Sequence, residues 1–366
     1  GETVADPYFD GAGPDRTGCT RCGACMVGCR VGAKNTLLKN YLWFAEKAGA
    51  EVLADQMVTD IQPVGASDGS DGYTVRTRRP GLVPGRRREI TAKGIVVSAG
   101  ALGTNRLLAN CKHSGSLANI SDRLGELVRT NSESILAVTM PDDSHKLWNS
   151  VAISSSIHTD QDTHIEVVTY GQNGDSMRYL FTLLTGPGTR WTRVFSLLGN
   201  AVRHPLDFAK TLWPFGWSRR TIALLVMQSL DNAISFRAKK RWFSRKVRLS
   251  TEQNPDMPNP TYIEAGNKAA EWIANETGGL AQSMFLEAAA NIPTTAHILG
   301  GVTIGRDAEH GVVDRNQQLF GYQNLLVCDG SAMPANPGVN PSLTITAMTE
   351  RAMSKIPEKG SAGSLA

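Results

Sequence analysis

Two segments near opposite ends of the 366-residue chain constrain its fold more than any other feature. Ile95-Val-Val-Ser-Ala-Gly100 leads into 101–110, where Leu102, Leu107 and Leu108 recur on a helical period, so the stretch reads as strand, tight glycine turn and helix. Leu325-Leu-Val-Cys-Asp329-Gly330 returns to the theme as a buried strand ending in an acid, with a helix expected over 342–355 after Pro341. A chain of this length forms about two domains, and the recurrence puts one of them at both ends with the other between.

The middle has a different texture. Strands are expected at 135–140, 151–157 and 165–170, a Trp- and Arg-rich stretch follows, and hairpin strands at 233–236 and 246–250 flank the basic run Arg237 to Arg248, read as a solvated hairpin. A helix over 268–275 ends at Gly278. Nearer the front, a helix is expected over 33–48 with Gly49 as its cap, then strands at 51–61, 73–77 and 95–98, with Gly65 to Gly85 looping around the middle one. The fold class is α/β (α+β), and residues beyond Glu358 read as a tail.

Composition excludes several classes. Hydrophobic residues at 41% and charged residues at 20% describe an ordinary globular chain. The net charge of +4 is too small for a nucleic-acid footprint, so no nucleic-acid partner is expected. The longest apolar run, Ile222 to Met227, falls far short of the ~20 residues a spanning helix needs. With no leader visible and its cysteines read as reduced, the chain is expected to be cytoplasmic, with peripheral membrane contact open.

Four of the six cysteines fall in Cys19-x-x-Cys22-x-x-Cys25-x-x-x-Cys29, the spacing of a bacterial-ferredoxin iron–sulfur run, with Arg30 where proline usually follows. In that spacing the fourth thiolate usually serves another cluster, so a four-iron site needs a chain reversal or a remote ligand such as Cys111 or Cys328. A compact cysteine-rich loop without metal is the competing reading.

At the other end, His297-Ile-Leu-Gly-Gly301, Asp329-Gly330-Ser331 and Gly338-Val-Asn340-Pro follow one another in order. Together with Gly18-Cys19 through Tyr41-Leu42, and Val97-Ser-Ala-Gly100-Ala-Leu-Gly103 with Arg106-Leu-Leu108, they make most of residues 7 to 355 resemble the glucose–methanol–choline (GMC) oxidoreductase family, and within it the branch of bacterial cholesterol oxidases. The resemblance implies an FAD-binding domain at 1–130 and 291–366 and an antiparallel-sheet substrate domain at 131–290. It also accounts for the cysteine-rich segment at 18–35 without a cluster. Such enzymes begin with a strand, a GxGxxG turn and a helix that hold the ADP part of FAD; none occurs here, so the chain reads as a truncated enzyme with an incomplete FAD-binding domain.

The implied chemistry is oxidation of a hydrophobic alcohol, with a 3β-hydroxysterol preferred, by hydride transfer to flavin and with oxygen or another acceptor taking the electrons onward. His297 is the candidate base, since an imidazole accepts a proton near neutral pH, and Asn340 the candidate hydrogen-bonding partner of the same oxygen or of the flavin. Gly100, Ala101, Gly103, Asp329 and Gly330, with Asn340, are the cofactor-side candidates. Moving a double bond in a sterol needs a carboxylate in an apolar pocket, and Glu166, on a strand face with His164 and Val168, is the candidate, its alternative being an ordinary polar residue of an outer face. The remaining histidines, His113, His145, His158, His204 and His310, have no partner spacing.

From Leu180 to Trp217, Trp191, Phe195, Leu198, Trp213 and Phe215 mix with Arg190, Arg193, Arg203 and Lys210. This texture fits either a surface that rests on lipid or a buried helical pair. Two other functional readings stand beside the flavoenzyme: an iron–sulfur electron carrier using the four clustered cysteines, and a non-catalytic flavoenzyme piece.

Overall fold

A computed structural model describes residues 1–81, 85–240 and 247–358. The middle of the basic strip Arg237 to Arg248 and the terminal tail from 359 lie outside the described residues. Two compact units share the chain. The first comprises Gly1–Leu53, Glu133–Met227 and Pro260–Thr294, the second Ala54–Ser132, Gln228–Asn259 and Thr295–Ala366. Residues 1–53, expected with the cofactor half, therefore pack in the first unit, and Gln228–Asn259, expected with the substrate half, pack in the second.

The first unit is built on a six-stranded sheet in the order Phe181–Leu183, Leu280–Met284, Ser134–Thr139, Thr221–Gln228, Thr163–Val168, Ile153–His158. Thr221–Gln228 contains the longest apolar run and sits inside the sheet, covered on both faces, which is why it alternates with nothing polar. Antiparallel register sets Leu224 opposite Leu136 and Ile165 opposite Ile157. Leu136, Val138, Leu224 and Val226 pack against the helix Glu264–Thr277, where Gly266 leaves room for Val226: a Cβ there would come within 2.5 Å of the valine side chain. That helix stops at Gly278 in the left-handed conformation, as expected. Ala137, Ala223, Leu225, Met227, Phe181 and Trp217 form the core on the opposite face.

The Trp- and Arg-rich stretch folds into the helices Arg190–Arg203 and Pro205–Leu212 and a short turn of helix at Trp217–Arg220. The helix expected over 33–48 is instead a 3₁₀ turn, Leu37–Lys39, followed by Tyr41–Lys47. Asn40 separates the two by leaving helical geometry, and its side-chain oxygen caps the second by accepting the Tyr41 N–H at 2.6 Å.

In the second unit Ile95–Val97 and Leu325–Val327, far apart in sequence, lie side by side and parallel, Ile95 beside Leu325 and Val97 beside Val327. The helix Gly100–Ser114 packs Leu108 and Cys111 into a core with Val97, Val302, Val312, Leu325 and Val327. A meander of Met57–Pro63, Tyr73–Arg78 and Arg87–Ala92 adds a three-stranded sheet. Its last strand was not legible, being an almost wholly exposed Arg-Arg-Glu-Ile-Thr-Ala with no buried alternation. The hairpin Ile234–Lys240 with Val247–Gln253 extends through Val128–Arg129 to Leu299–Gly300, forming a four-stranded sheet.

Candidate active site

The parallel pair ends in two polar turns that are tied together. Gly100 opens its helix with φ +71° and donates its N–H to Asp329 Oδ2 at 2.9 Å, and the same oxygen accepts the Thr104 hydroxyl at 2.5 Å. Oδ1 accepts the Ser331 N–H at 2.8 Å and its hydroxyl at 2.5 Å. Four donors from its own chain thus surround the Asp329 carboxylate, which works as a clasp between strand end and helix start.

The glycines here differ in what they require. Nothing lies within 4 Å of a Cβ at Gly100, so its backbone conformation rather than space demands glycine, and the edge beyond it is open. Gly103 and Gly330 are packing glycines, with a Cβ 3.0 Å from the Ala99 side chain in one case and 3.1 Å from Leu299 in the other. Ala101 is buried and offers its carbonyl to Asn105. An exposed glycine at the start of a 15-residue helix, beside a strand end and with open space before it, is an edge that fits the phosphate-bearing part of a dinucleotide cofactor.

The loops of His297 and Asn340 hang from one four-residue stretch, Arg129-Thr-Asn-Ser132. Thr295 Oγ1 donates to the Thr130 carbonyl at 2.8 Å and accepts the His297 N–H at 2.9 Å. Just beyond, Leu299 and Gly300 pair with Arg129 and Val128. Asn131, fully buried and at φ +55°, accepts the Gly338 N–H at 3.2 Å and donates Nδ2 to the Val339 carbonyl at 3.0 Å, one residue before Asn340. Its own N–H goes to Asn336 Oδ1 at 2.9 Å, while the Asn336 amide binds the Leu230 and Asn232 carbonyls. Ser132 completes the web by donating to Asn232 Oδ1 at 2.6 Å. The structure therefore anchors both predicted residues, each half-buried, on a common polar strap.

The Gly300-Gly301 pair of the histidine motif follows from the same close packing. A Cβ at Gly300 would stand 2.1 Å from the Leu127 carbonyl oxygen, and one at Gly301 would stand 2.4 Å from Asn105 Oδ1. Asn105 donates Nδ2 to the carbonyls of Ala101 and Gly300 at 2.8 and 3.0 Å, bridging the clasp helix to the histidine loop. Sequence reasoning missed Thr104, Asn105, Asn131, Thr295 and Asn336. Thr104 and Asn105 lie between the motif residues Gly103 and Arg106, Thr295 two residues before His297 and Asn336 two before Gly338, whereas Asn131 carried no signal, because an isolated polar residue in a loop reads as solvated.

In the first unit Glu166 is buried on Thr163–Val168, opposite Ser156. Its Oε1 lies 3.9 Å from Nδ1 of His164 on the same face, and the His164 ring stacks on His158 with centroids 4.6 Å apart. A second buried acid went unanticipated. Glu287, on the short helix Phe285–Ala290, accepts the hydroxyls of Ser134 and Thr294 at 2.9 Å each. Burial pushes its carboxyl above the usual carboxylate range, against the pull of those donors and of Arg193.

The cysteines do not assemble as a ligand set. Among the described residues no group of three or more His, Cys, Asp or Glu could hold a metal ion, and nothing in the structure supports the iron–sulfur expectation for Cys19, Cys22, Cys25 and Cys29. Two of the thiols are turned to local backbone instead: Cys19 accepts the Arg21 N–H and Cys29 the Lys34 N–H, both at 3.3 Å. The amide of Lys34, with those of Ala33, Gly32 and Val31, lowers the Cys29 thiol from its ordinary value. The loop packs by backbone approach, with a Cβ at Gly23 falling 2.6 Å from the Trp148 carbonyl oxygen and one at Gly171 falling 2.8 Å from that of Cys22. Cys111 and Cys328 are buried, their thiols pushed up to about 12 and about 11 by desolvation.

Comparison with known proteins gives a consistent picture. Two family models, both described as GMC oxidoreductase, match residues 12–124 and 229–349, together well over half of the chain. A cholesterol oxidase of Acinetobacter baumannii is 45% identical over 361 residues, covering 98% of this chain and 65% of the relative. A cholesterol oxidase of Mycobacterium tuberculosis is 48% identical over 373 residues, covering 98% of this chain and 62% of the relative. A long-chain-alcohol oxidase, FAO4B, of Arabidopsis thaliana is 26% identical, covering 92% of this chain and 46% of its own length. The chain thus spans less than two thirds of the length of these relatives.

Proposed function

The chain belongs to the GMC oxidoreductase family, and from that premise we propose that it forms part of an FAD-dependent enzyme that oxidises a hydrophobic alcohol, with a 3β-hydroxysterol as the preferred substrate. The carrying observation is the strap 129–132, which fixes the His297 and Asn340 loops to the same backbone. Similarity to two cholesterol oxidases supports the sterol preference.

Gly100 and the helix it opens, together with Asn340, are proposed to hold the cofactor, while Asp329, saturated by its own chain, shapes that edge rather than binding through its carboxylate. When bound, FAD supplies the acceptor for the hydride that leaves the carbinol carbon. His297 takes the hydroxyl proton as the carbon–oxygen bond gains its second order. Asn340 donates a side-chain N–H to that oxygen and orients it. The Thr295 hydroxyl, spanning the His297 N–H and the Thr130 carbonyl, keeps the imidazole's backbone from shifting during proton transfer.

With a sterol, Glu166 is proposed to move a proton between ring carbons after oxidation, a task suited to a buried carboxylate. Its substitution then separates two steps: Glu166→Gln keeps alcohol oxidation but yields an unconjugated ketone, read by ultraviolet absorbance.

The deciding experiment is an anaerobic visible spectrum of the full-length parent protein before and after a 3β-hydroxysterol. Bleaching of two flavin bands supports the reading, and a His297→Gln variant should slow that bleaching by roughly 10²–10⁴-fold, the usual worth of a general base. A flavin unaffected by any hydrophobic alcohol overturns it.

A further inference from the structure

The helix Arg190–Arg203 is amphipathic, but its polar stripe faces the protein. Arg193 is buried and donates to the Thr261 carbonyl at 2.6 Å, to Asn291 Oδ1 at 3.1 Å and to Thr185 Oγ1 at 3.1 Å. Two turns on, Asn200 donates Nδ2 to the Leu184 carbonyl at 3.1 Å. Positions 193, 197 and 200 therefore make the inner stripe. Trp191, Phe195, Leu198 and Val202, spaced four, three and four residues apart, make the outer one.

The apolar surface continues past the helix. Pro205 starts Pro205–Leu212, which exposes Leu206 and Leu212, and the turn after it exposes Trp213 and Phe215 in edge-to-face contact. These eight large apolar residues, from Trp191 to Phe215, are each 57–80% exposed. The turn is held in place rather than loose: the Asp175 carboxylate accepts the Gly216 N–H at 2.9 Å and the Ser218 N–H at 2.8 Å. Scattered exposed leucines need no explanation, but a contiguous, rigidly presented patch of this size does.

Charge around the patch selects its occupant. Arg190, Arg203, Lys210 and Arg219 are exposed along this stretch, and its one acid, Asp207, is already paired with Lys210 at 2.8 Å. Apolar side chains with two tryptophans at the margin of a cationic rim match the boundary between acyl chains and anionic headgroups.

We propose that the helices Arg190–Arg203 and Pro205–Leu212 with the Trp213–Phe215 turn form a docking surface for an anionic lipid bilayer, lying in the interfacial plane with the apolar stripe inserted. The proposal stands independently of which alcohol is oxidised, because it rests on the outer stripe alone.

The test is co-sedimentation of the full chain with vesicles of zwitterionic lipid, with and without an anionic phospholipid. Binding to the anionic vesicles that falls as salt is raised is the expected result. Combining Trp191→Ser, Phe195→Ser, Trp213→Ser and Phe215→Ser should cut the bound fraction roughly tenfold or more, as loss of inserted apolar area requires. Trp272→Ser, at an exposed tryptophan on the helix Glu264–Thr277, should leave it unchanged, and circular dichroism reports folding of each variant. Binding insensitive to the fourfold change, or no binding by the parent, overturns the proposal. So does a lipid-free dimer that the same four substitutions dissociate, since the occupant is then a second copy.

Discussion

The strap 129–132 and the helix Arg190–Arg203 are both held from inside by polar side chains, yet they leave opposite surfaces for use. At the strap, Asn131, Asn336 and Ser132 spend their hydrogen bonds on backbone and side-chain groups of neighbouring loops and deliver two polar residues, His297 and Asn340. At the helix, Arg193 and Asn200 spend theirs on the scaffold and leave an apolar stripe outside. A buried polar anchor thus says how firmly an element is held, not what its free side offers.

The largest effect should come from cutting the strap. Asn131→Ala removes two side-chain hydrogen bonds, leaves the Gly338 N–H unpaired and puts alanine at φ +55°, so about 3 kcal/mol of stability should be lost in urea unfolding. Asn131→Gly should recover about 1 kcal/mol of that, the backbone share, without restoring turnover. Equal losses for the two variants would show that the left-handed backbone carries no strain.

Arg193→Lys probes the other side of the comparison. It keeps the charge but gives up the fork that reaches three acceptors, and should cost roughly 2 kcal/mol while loosening Arg190–Arg203, seen as faster amide exchange there. An unchanged exchange rate would mean the helix is held by packing alone.

Thr295→Val is subtler. Loss of the hydroxyl that joins the His297 N–H to the Thr130 carbonyl should cost about 1 kcal/mol and lower kcat more than it raises KM.

The smallest expected change is a pH dependence at Glu287. Its carboxyl is raised by burial, so the unfolded chain releases this proton at lower pH than the native one, and stability falls as pH climbs from the ordinary carboxylate value through the native one. Glu287→Gln should therefore gain stability relative to the parent toward neutral pH and show no such gain in acid. A difference independent of pH would mean that the acid is not displaced from its ordinary range.

The sequence carried a good deal of the scaffold. Strand, glycine turn and helix at 95–110, the apolar run at 222–227 and the helix stop at Gly278 are local patterns, and local patterns survive into the fold. The His297 and Asn340 motifs were readable as motifs. Their support was not, because Arg-Thr-Asn-Ser at 129–132 is indistinguishable from a solvated loop until its partners, a hundred residues or more away, are in place. The four cysteines show the converse: a regular spacing in which two of the thiols, Cys19 and Cys29, turn to nearby backbone amides. Composition likewise marked the stretch around Trp191 as a lipid-resting surface or a buried helical pair, but not which of the two the protein would keep.

Because the strap sets the position of both loops, the exposed turn at 306–310, in the chain between His297 and Asn340, can drift in length without moving either side chain, while Val312, Leu325 and Val327 of the same stretch stay committed to the core. A single-residue insertion between Val128 and Ser132 would instead throw both loops out of alignment at once. Related sequences should then vary in length at that turn and not at all in those few residues.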